Sequence, residues 1–131
     1  MLKVSGVDHL VLRVKDLPAM LAFYVDVLGC PIERRNDEIG LIQLRAGTSL
    51  IDLVPVDGRL GAAGGAAPGE EGRNLDHFCL RIEGFDLEAV RRHLEAHGVE
   101  MGEIGVRFGA GGEGLSVYLA DPDGNGLELR G

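Results

Sequence analysis

The sequence predicts an α+β fold built from two tandem βαβββ modules, and three observations carry that expectation. A seven-residue phrase occurs twice, as DHLVLRV at 8–14 and DHFCLRI at 76–82, about half the chain length apart. Each copy leads through an aspartate into a run with apolar residues at helical spacing, and each run stops at a glycine. Short runs rich in β-branched residues then follow in both halves.

In the first half, Gly6 to Val14 alternates and reads as a strand. Asp16 is a candidate N-cap, Pro18 suits a first helical turn, and LPAMLAFYVDVL continues as helix until Gly29 and Pro31 end it. Strand candidates follow at IERRN, IGLIQLRA and SLIDLVPV. In the second half Leu75 to Glu83 is the strand, Asp86 caps LEAVRRHLEAH, and Gly98 terminates it. The later strand candidates are VEMGEI, GLSVYLA and GLELR. Module one spans about 1–56 and module two about 74–131, joined by a small-residue connection at about 57–73. That connection serves as a linker or as a flap over a site. A lone βαβββ unit leaves an apolar sheet face and bare edges, so two copies must pair within one chain or between chains.

The 131 residues are enough for one domain with a single core. Thirteen basic against 21 acidic residues leave a formal charge of −8, which repels a phosphate backbone and speaks against nucleic acid as a partner. No apolar run approaches a membrane span, and the start MLKVSGVDHL has no signal-peptide core. Cys30 and Cys79 suggest neither a disulfide scaffold nor a metal-type pair. A soluble, cytoplasmic protein is the expectation.

Alternation places His9, Val11 and Arg13 on one strand face, and His77, Cys79 and Arg81 on the equivalent face of the second copy. A lone histidine there reads as a hydrogen-bonded structural residue. Two in register within a repeat point to a shared site. The repeat also puts a carboxylate on each module's last strand, Asp52 in LIDL and Glu128 in GLEL. Taken singly, each fits the solvent face of an edge strand. Taken together with the histidines, they form a donor set for a catalytic divalent metal with open positions for substrate.

At HLVLRVKDLPAMLAFYVDVLG (9–29), DHFCLRI (76–82) and YLADPDGNGLEL (118–129) the chain resembles the vicinal oxygen chelate superfamily, which comprises glyoxalase, bleomycin-resistance and ring-cleaving dioxygenase proteins. The resemblance covers nearly the whole chain. It implies a single glyoxalase-like domain over 1–131, in which paired modules form a cup-shaped mixed sheet with the helices outside. It implies a divalent metal (Fe, Ni, Zn or Mn) held by His9, His77 and Glu128, and a homodimer with shared sites. Asp52 falls where glyoxalase I-like members carry a glutamate. Being one methylene shorter, it is a fourth ligand, a water-bridged group, a base, or none of these. Tyr118 and DPDGNGLE resemble the tail of the extradiol dioxygenase signature, but residues 108–114 read FGAGGEG and lack its upstream histidine.

Three functions follow. The first is a metal-dependent lyase or isomerase whose small substrate chelates the metal through vicinal oxygens, with Glu128 or Asp52 shuttling a proton. The second is an Fe(II) ring-cleaving dioxygenase with Tyr118 as a nearby acid. The third is a metal-free, antibiotic-sequestering binder. The missing histidine favours the first. Arg13 is a candidate substrate-binding residue, one of several arginines able to steer an anion or simply face solvent. His93 and His97, at i and i+4 on the second helix, fit a solvated pair better than a ligand pair. Gly109, Gly111 and Gly114 spell G-x-G-x-x-G, yet a strand rather than a helix follows, so a hairpin is expected instead of a nucleotide loop.

Overall fold

The computed structural model describes residues 1–131. Two four-stranded mixed sheets and two helices make an α+β fold of two tandem βαβββ modules. The chain divides into two compact units, Met1–Asn74 and Leu75–Gly131.

In the first unit, β1 (His9–Val14) leads into α1 (Leu17–Leu21), followed by β2 (Ile32–Asn36), β3 (Leu41–Ala46) and β4 (Ser49–Pro55). The sheet order is β1-β4-β3-β2, with β1 and β4 parallel and the other neighbours antiparallel. Asp16 caps α1 by accepting from the Ala19 N–H at 3.1 Å, and Pro18 sits in the first turn. The helix expected over 17–28 changes character part-way. After Leu21 it continues as a π-helix over Ala22–Val27, where the Leu28 N–H reaches Phe23 O five residues back. The wider turn lets consecutive Phe23 and Tyr24 both be buried, with their rings edge to face at 5.0 Å. Gly29, at φ +73°, then ends the helix in a conformation that side chains resist.

Cross-strand neighbours Leu12, Leu53 and Ile42 share one sheet face and are buried with Met20, Phe23 and Tyr24 as this unit's core. Each such side chain contributes about 1.5–3 kcal/mol of apolar burial. The segment before β1, expected to be strand from Gly6, is exposed and carries no regular structure. The connection after β4 packs into this same unit and includes a short 3₁₀ turn at Gly61–Gly64.

The second unit repeats the plan with β5 (His77–Arg81), α2 (Leu87–Ala96), β6 (Ile104–Gly109), β7 (Gly112–Ala120) and β8 (Gly126–Arg130), in the order β5-β8-β7-β6. Asp86 caps α2 by accepting from the Ala89 N–H, and Gly98 at φ +69° follows its end. Leu94 of the expected stripe is fully buried, with Leu87 and Val90 half-buried beside it.

The strand expected at VEMGEI is displaced, because β6 begins only at Ile104 and runs through IGVRFG. A two-residue turn at Ala110 and Gly111 sets the register, pairing Gly109 with Gly112 and Ile104 with Val117. The Gly102 N–H and the Glu103 carbonyl bond to Tyr118, where the segment joins the sheet. The hairpin expected at Gly109–Gly114 is present, but Gly105 and Gly109 hid the extent of β6, because strand preference is weak where side chains are absent and cross-strand pairing then decides. Neither Asp52 nor Glu128 lies on an edge strand: β4 and β8 are both interior.

Candidate metal centre

Each unit presents one histidine and one carboxylate on the same sheet face. In the second unit, parallel pairing of β5 with β8 puts His77 beside Gly126 and Cys79 beside Glu128. His77 Nε2 then lies 3.4 Å from Glu128 Oε2. Its Nδ1 is 2.6 Å from Asp76 Oδ2, and because a carboxylate only accepts, Nδ1–H donates to it. That bond fixes the tautomer and turns Nε2 towards Glu128. It also raises the His77 imidazole above its ordinary value. Desolvation opposes the rise, and the charges of Asp76 and Glu128 add to it.

Glu128 is 7 % exposed, and its other oxygen, Oε1, accepts from the fully buried Ser116 hydroxyl at 2.5 Å. Behind it the DPDGN turn is held by Asp121. Its Oδ1 accepts from the Asp123 and Asn125 N–H groups, and its Oδ2 accepts from the Asn125 side chain. That turn sets the return of β8 against β7, so that Tyr118 pairs with Glu128. The Tyr118 ring stands edge-on to His77 at 5.7 Å, with the Arg107 guanidinium 5.6 Å over it.

The first unit repeats part of this arrangement. His9 Nδ1 donates to Asp8 Oδ1 at 2.7 Å. That bond raises the His9 imidazole, the charge of Asp52 adds to it, and desolvation opposes it. Asp52 is 4 % exposed and is approached by Gln43 Nε2 at 3.3 Å from each oxygen. No hydrogen bond or ion pair joins Asp52 to His9. The missing methylene is visible here, since Glu128 reaches its histidine and Asp52 does not.

Within neither unit do three His, Cys, Asp or Glu side chains gather closely enough to hold a metal. Each unit supplies a pair.

Arg13 stands apart from both pairs. Its Nε, Nη1 and Nη2 donate to the carbonyls of Gly61, Ala66 and Gly65, which ties the connecting loop to β1. Three of its five donors are thus spent on backbone rather than turned to solvent. His93 and His97 are exposed and stack at 4.6 Å, with His97 Nδ1 donating to the His93 carbonyl. Burial raises the thiols of both Cys30 and Cys79.

Asp8, Asp76, Ser116 and Gln43 were not singled out from the sequence. The two aspartates carried a signal, since the repeated phrase begins Asp-His in both copies. Ser116 and Gln43 carried none, because their roles depend on antiparallel register.

The family profile described as the Glyoxalase/Bleomycin resistance protein/Dioxygenase superfamily matches residues 6–129. The chain belongs to this superfamily. Among curated relatives of the chain, the glyoxalase domain-containing protein RDO1 of Mycosarcoma maydis is 32% identical over 129 residues, covering 98% of this chain and 69% of that protein. Virulence protein STM3117 of Salmonella typhimurium is 31% identical over 132 residues, covering 96% of this chain and 83% of that protein. Among solved structures, integron cassette protein VCH_CASS1 from the mobile metagenome of V. cholerae superposes with a TM-score of 0.78 at 30% identity. That match covers 99% of this chain and 97% of the other. The βαβββ repeat read from the sequence is therefore the superfamily's fold.

Proposed function

We propose that this superfamily member is a divalent-metal-dependent enzyme of the lyase or isomerase kind, acting on a small substrate that offers two adjacent oxygens. The observation that carries this reading is the His77–Glu128 pair. An imidazole that gives Nδ1–H to Asp76 has a lone pair at Nε2, and Glu128 Oε2 presents its own lone pairs 3.4 Å away. Facing lone pairs are stable together only with a proton or a cation to share, and a nitrogen–oxygen donor set oriented by an outer carboxylate suits a divalent metal.

His77 and Glu128, with His9, would hold the ion, and Asp52 is a further ligand or a base. The ion, when bound, supplies Lewis-acid stabilisation of negative charge on substrate oxygen. The chain's own residues supply the rest. Asp76 holds the imidazole in one tautomer. Ser116 holds one oxygen of Glu128 and so aims the other. A buried carboxylate placed in this way can take a proton from one substrate carbon and return it to the neighbouring one, as Glu128 or Asp52 would do here. Tyr118, whose ring packs edge-on to His77, would donate a hydrogen bond to substrate oxygen. The loss of the upstream histidine in FGAGGEG favours this chemistry over ring cleavage. We further propose that the site is shared in a homodimer, with His9 from one chain and His77 with Glu128 from the other.

Elemental analysis of the purified protein tests this reading. Wild type and His93→Ala should carry matching amounts of nickel, zinc or manganese, and His77→Ala should lose most of it. Equal metal in the two mutants sinks the site. Tightly bound iron would move the assignment to oxygenation, and no metal under any loading would move it to sequestration.

A further inference from the structure

Arg130 is 6 % exposed and forms no ion pair. Its Nη1 donates to Arg107 O at 3.2 Å and its Nη2 to Gly112 O at 2.8 Å, while the buried Nε–H has no partner at all. Buried cations are ordinarily paired. Directly across the β5–β8 pairing lies Arg81, which is exposed and makes no hydrogen bond or ion pair. The two guanidiniums line one cavity of about 360 Å³ together with Cys79, Phe108 and Glu128.

The repeat supplies an internal control. Arg13 holds the same place in the first phrase as Arg81 does in the second, and three loop carbonyls satisfy it. Its strand partner is Val54, whereas that of Arg81 is Arg130. The second module has therefore gained one guanidinium, and neither of the two forms an ion pair, although Glu128 shares their cavity and Glu83 and Glu113 line the adjoining one. The glycine pattern that fits no nucleotide loop finds its explanation here. A Cβ on Gly109 would overlap the Arg130 guanidinium, one on Gly114 would come within 2.6 Å of it, and one on Gly111 would lie 3.2 Å from that of Arg81. These glycines make room for two cations on the hairpin.

We infer that Arg81 and Arg130 form a subsite for a monoanionic carboxylate, beside the His77–Glu128 pair. Two guanidiniums outnumber the one carboxylate, Glu128, that lines this cavity, and Glu83 and Glu113 nearby weigh against a dianion, so the balance suits a monoanion better than a phosphate dianion. The free planar fork of Arg81 suits two parallel bonds to a carboxylate, and the unpaired charge of Arg130 behind it adds electrostatic attraction. In naming a substrate class this rests on the proposed enzymatic reading: the substrate would be a carboxylic acid bearing vicinal oxygens. Binding of the carboxylate itself needs no metal.

The test is a titration of the full chain, stripped of metal with EDTA and then dialysed free of the chelator, followed through the arginine Nε–Hε NMR signals, with benzoate, benzamide and inorganic phosphate as probes. Benzoate should move the Arg81 and Arg130 signals saturably, benzamide should not, and phosphate should bind more weakly than benzoate. Arg81→Gln, an exposed substitution, should weaken benzoate about ten-fold or more. Unmoved signals, equal affinity in the variant, or tighter phosphate binding would overturn the subsite. Because metal is absent throughout, a failure here is separate from a failure of the metal reading.

Discussion

His77 Nε2 lies 3.4 Å from Glu128 Oε2 across a parallel strand pair. The equivalent residues of the first module, His9 and Asp52, are joined by no bond, and Gln43 takes the carboxylate instead. A difference of one methylene between Glu and Asp thus splits a duplicated arrangement into one closed pair and one open pair.

Asp52 is the sharper test of that split. If it serves as a short-reach ligand or as the base, Asp52→Asn should keep the fold and weaken metal affinity or turnover about ten-fold or more. Isothermal titration with metal and steady-state kinetics read the two effects. No change in either reduces Asp52 to a buried partner of Gln43.

Ser116 should act through Glu128. Ser116→Ala leaves the buried Oε1 without its donor, at a cost of about 1–3 kcal/mol, and frees the carboxylate to turn away from His77. Metal affinity should fall about ten-fold, while the Arg81 and Arg130 side-chain signals stay in place. An unchanged metal isotherm would show that the hydroxyl does not aim Glu128.

Gly61 tests the loop clamp. A Cβ there would overlap the Pro55 carbonyl and lie 2.8 Å from Val54 O, both backbone atoms that cannot step aside. Gly61→Ala should cost about 1–3 kcal/mol, read as a lower urea midpoint at unchanged slope. Gly69→Ala, whose Cβ would meet nothing closer than 3.9 Å, is the matched control and should be neutral. Equal midpoints for the two would mean that the loop gives way to admit the methyl group.

The shared site predicts complementation. His9→Ala and His77→Ala should each lose metal alone. Unfolded and refolded together, they should recover some binding, because a mixed dimer with exchanged modules has one intact site and one doubly damaged site. A monomer by sedimentation, or mixed dimers without recovery, would rule the sharing out.

The repeat, the helix caps at Asp16 and Asp86, and the residues His9, His77, Asp52 and Glu128 were all legible in the sequence. Each depends on local rules: strand alternation fixes a face, an aspartate before an apolar period fixes a helix start, and duplication reveals equivalent positions. The paired arginines were not legible. Arg13 and Arg81 occupy the same place in a repeated phrase, and only the tertiary structure shows one consumed by loop carbonyls and the other left open. Nothing in GLELR marks Arg130 as buried; its burial comes from the hairpin whose carbonyls it bonds. Ser116 acquired its role only when antiparallel register set it diagonally from Glu128. Which residues recur and which way each strand faces follow from the chain's own repeat and its two-residue period. Which side chains meet, which are spent and which are left unpaired depends on contacts between residues far apart in the chain. Those contacts exist only once the sheets are assembled.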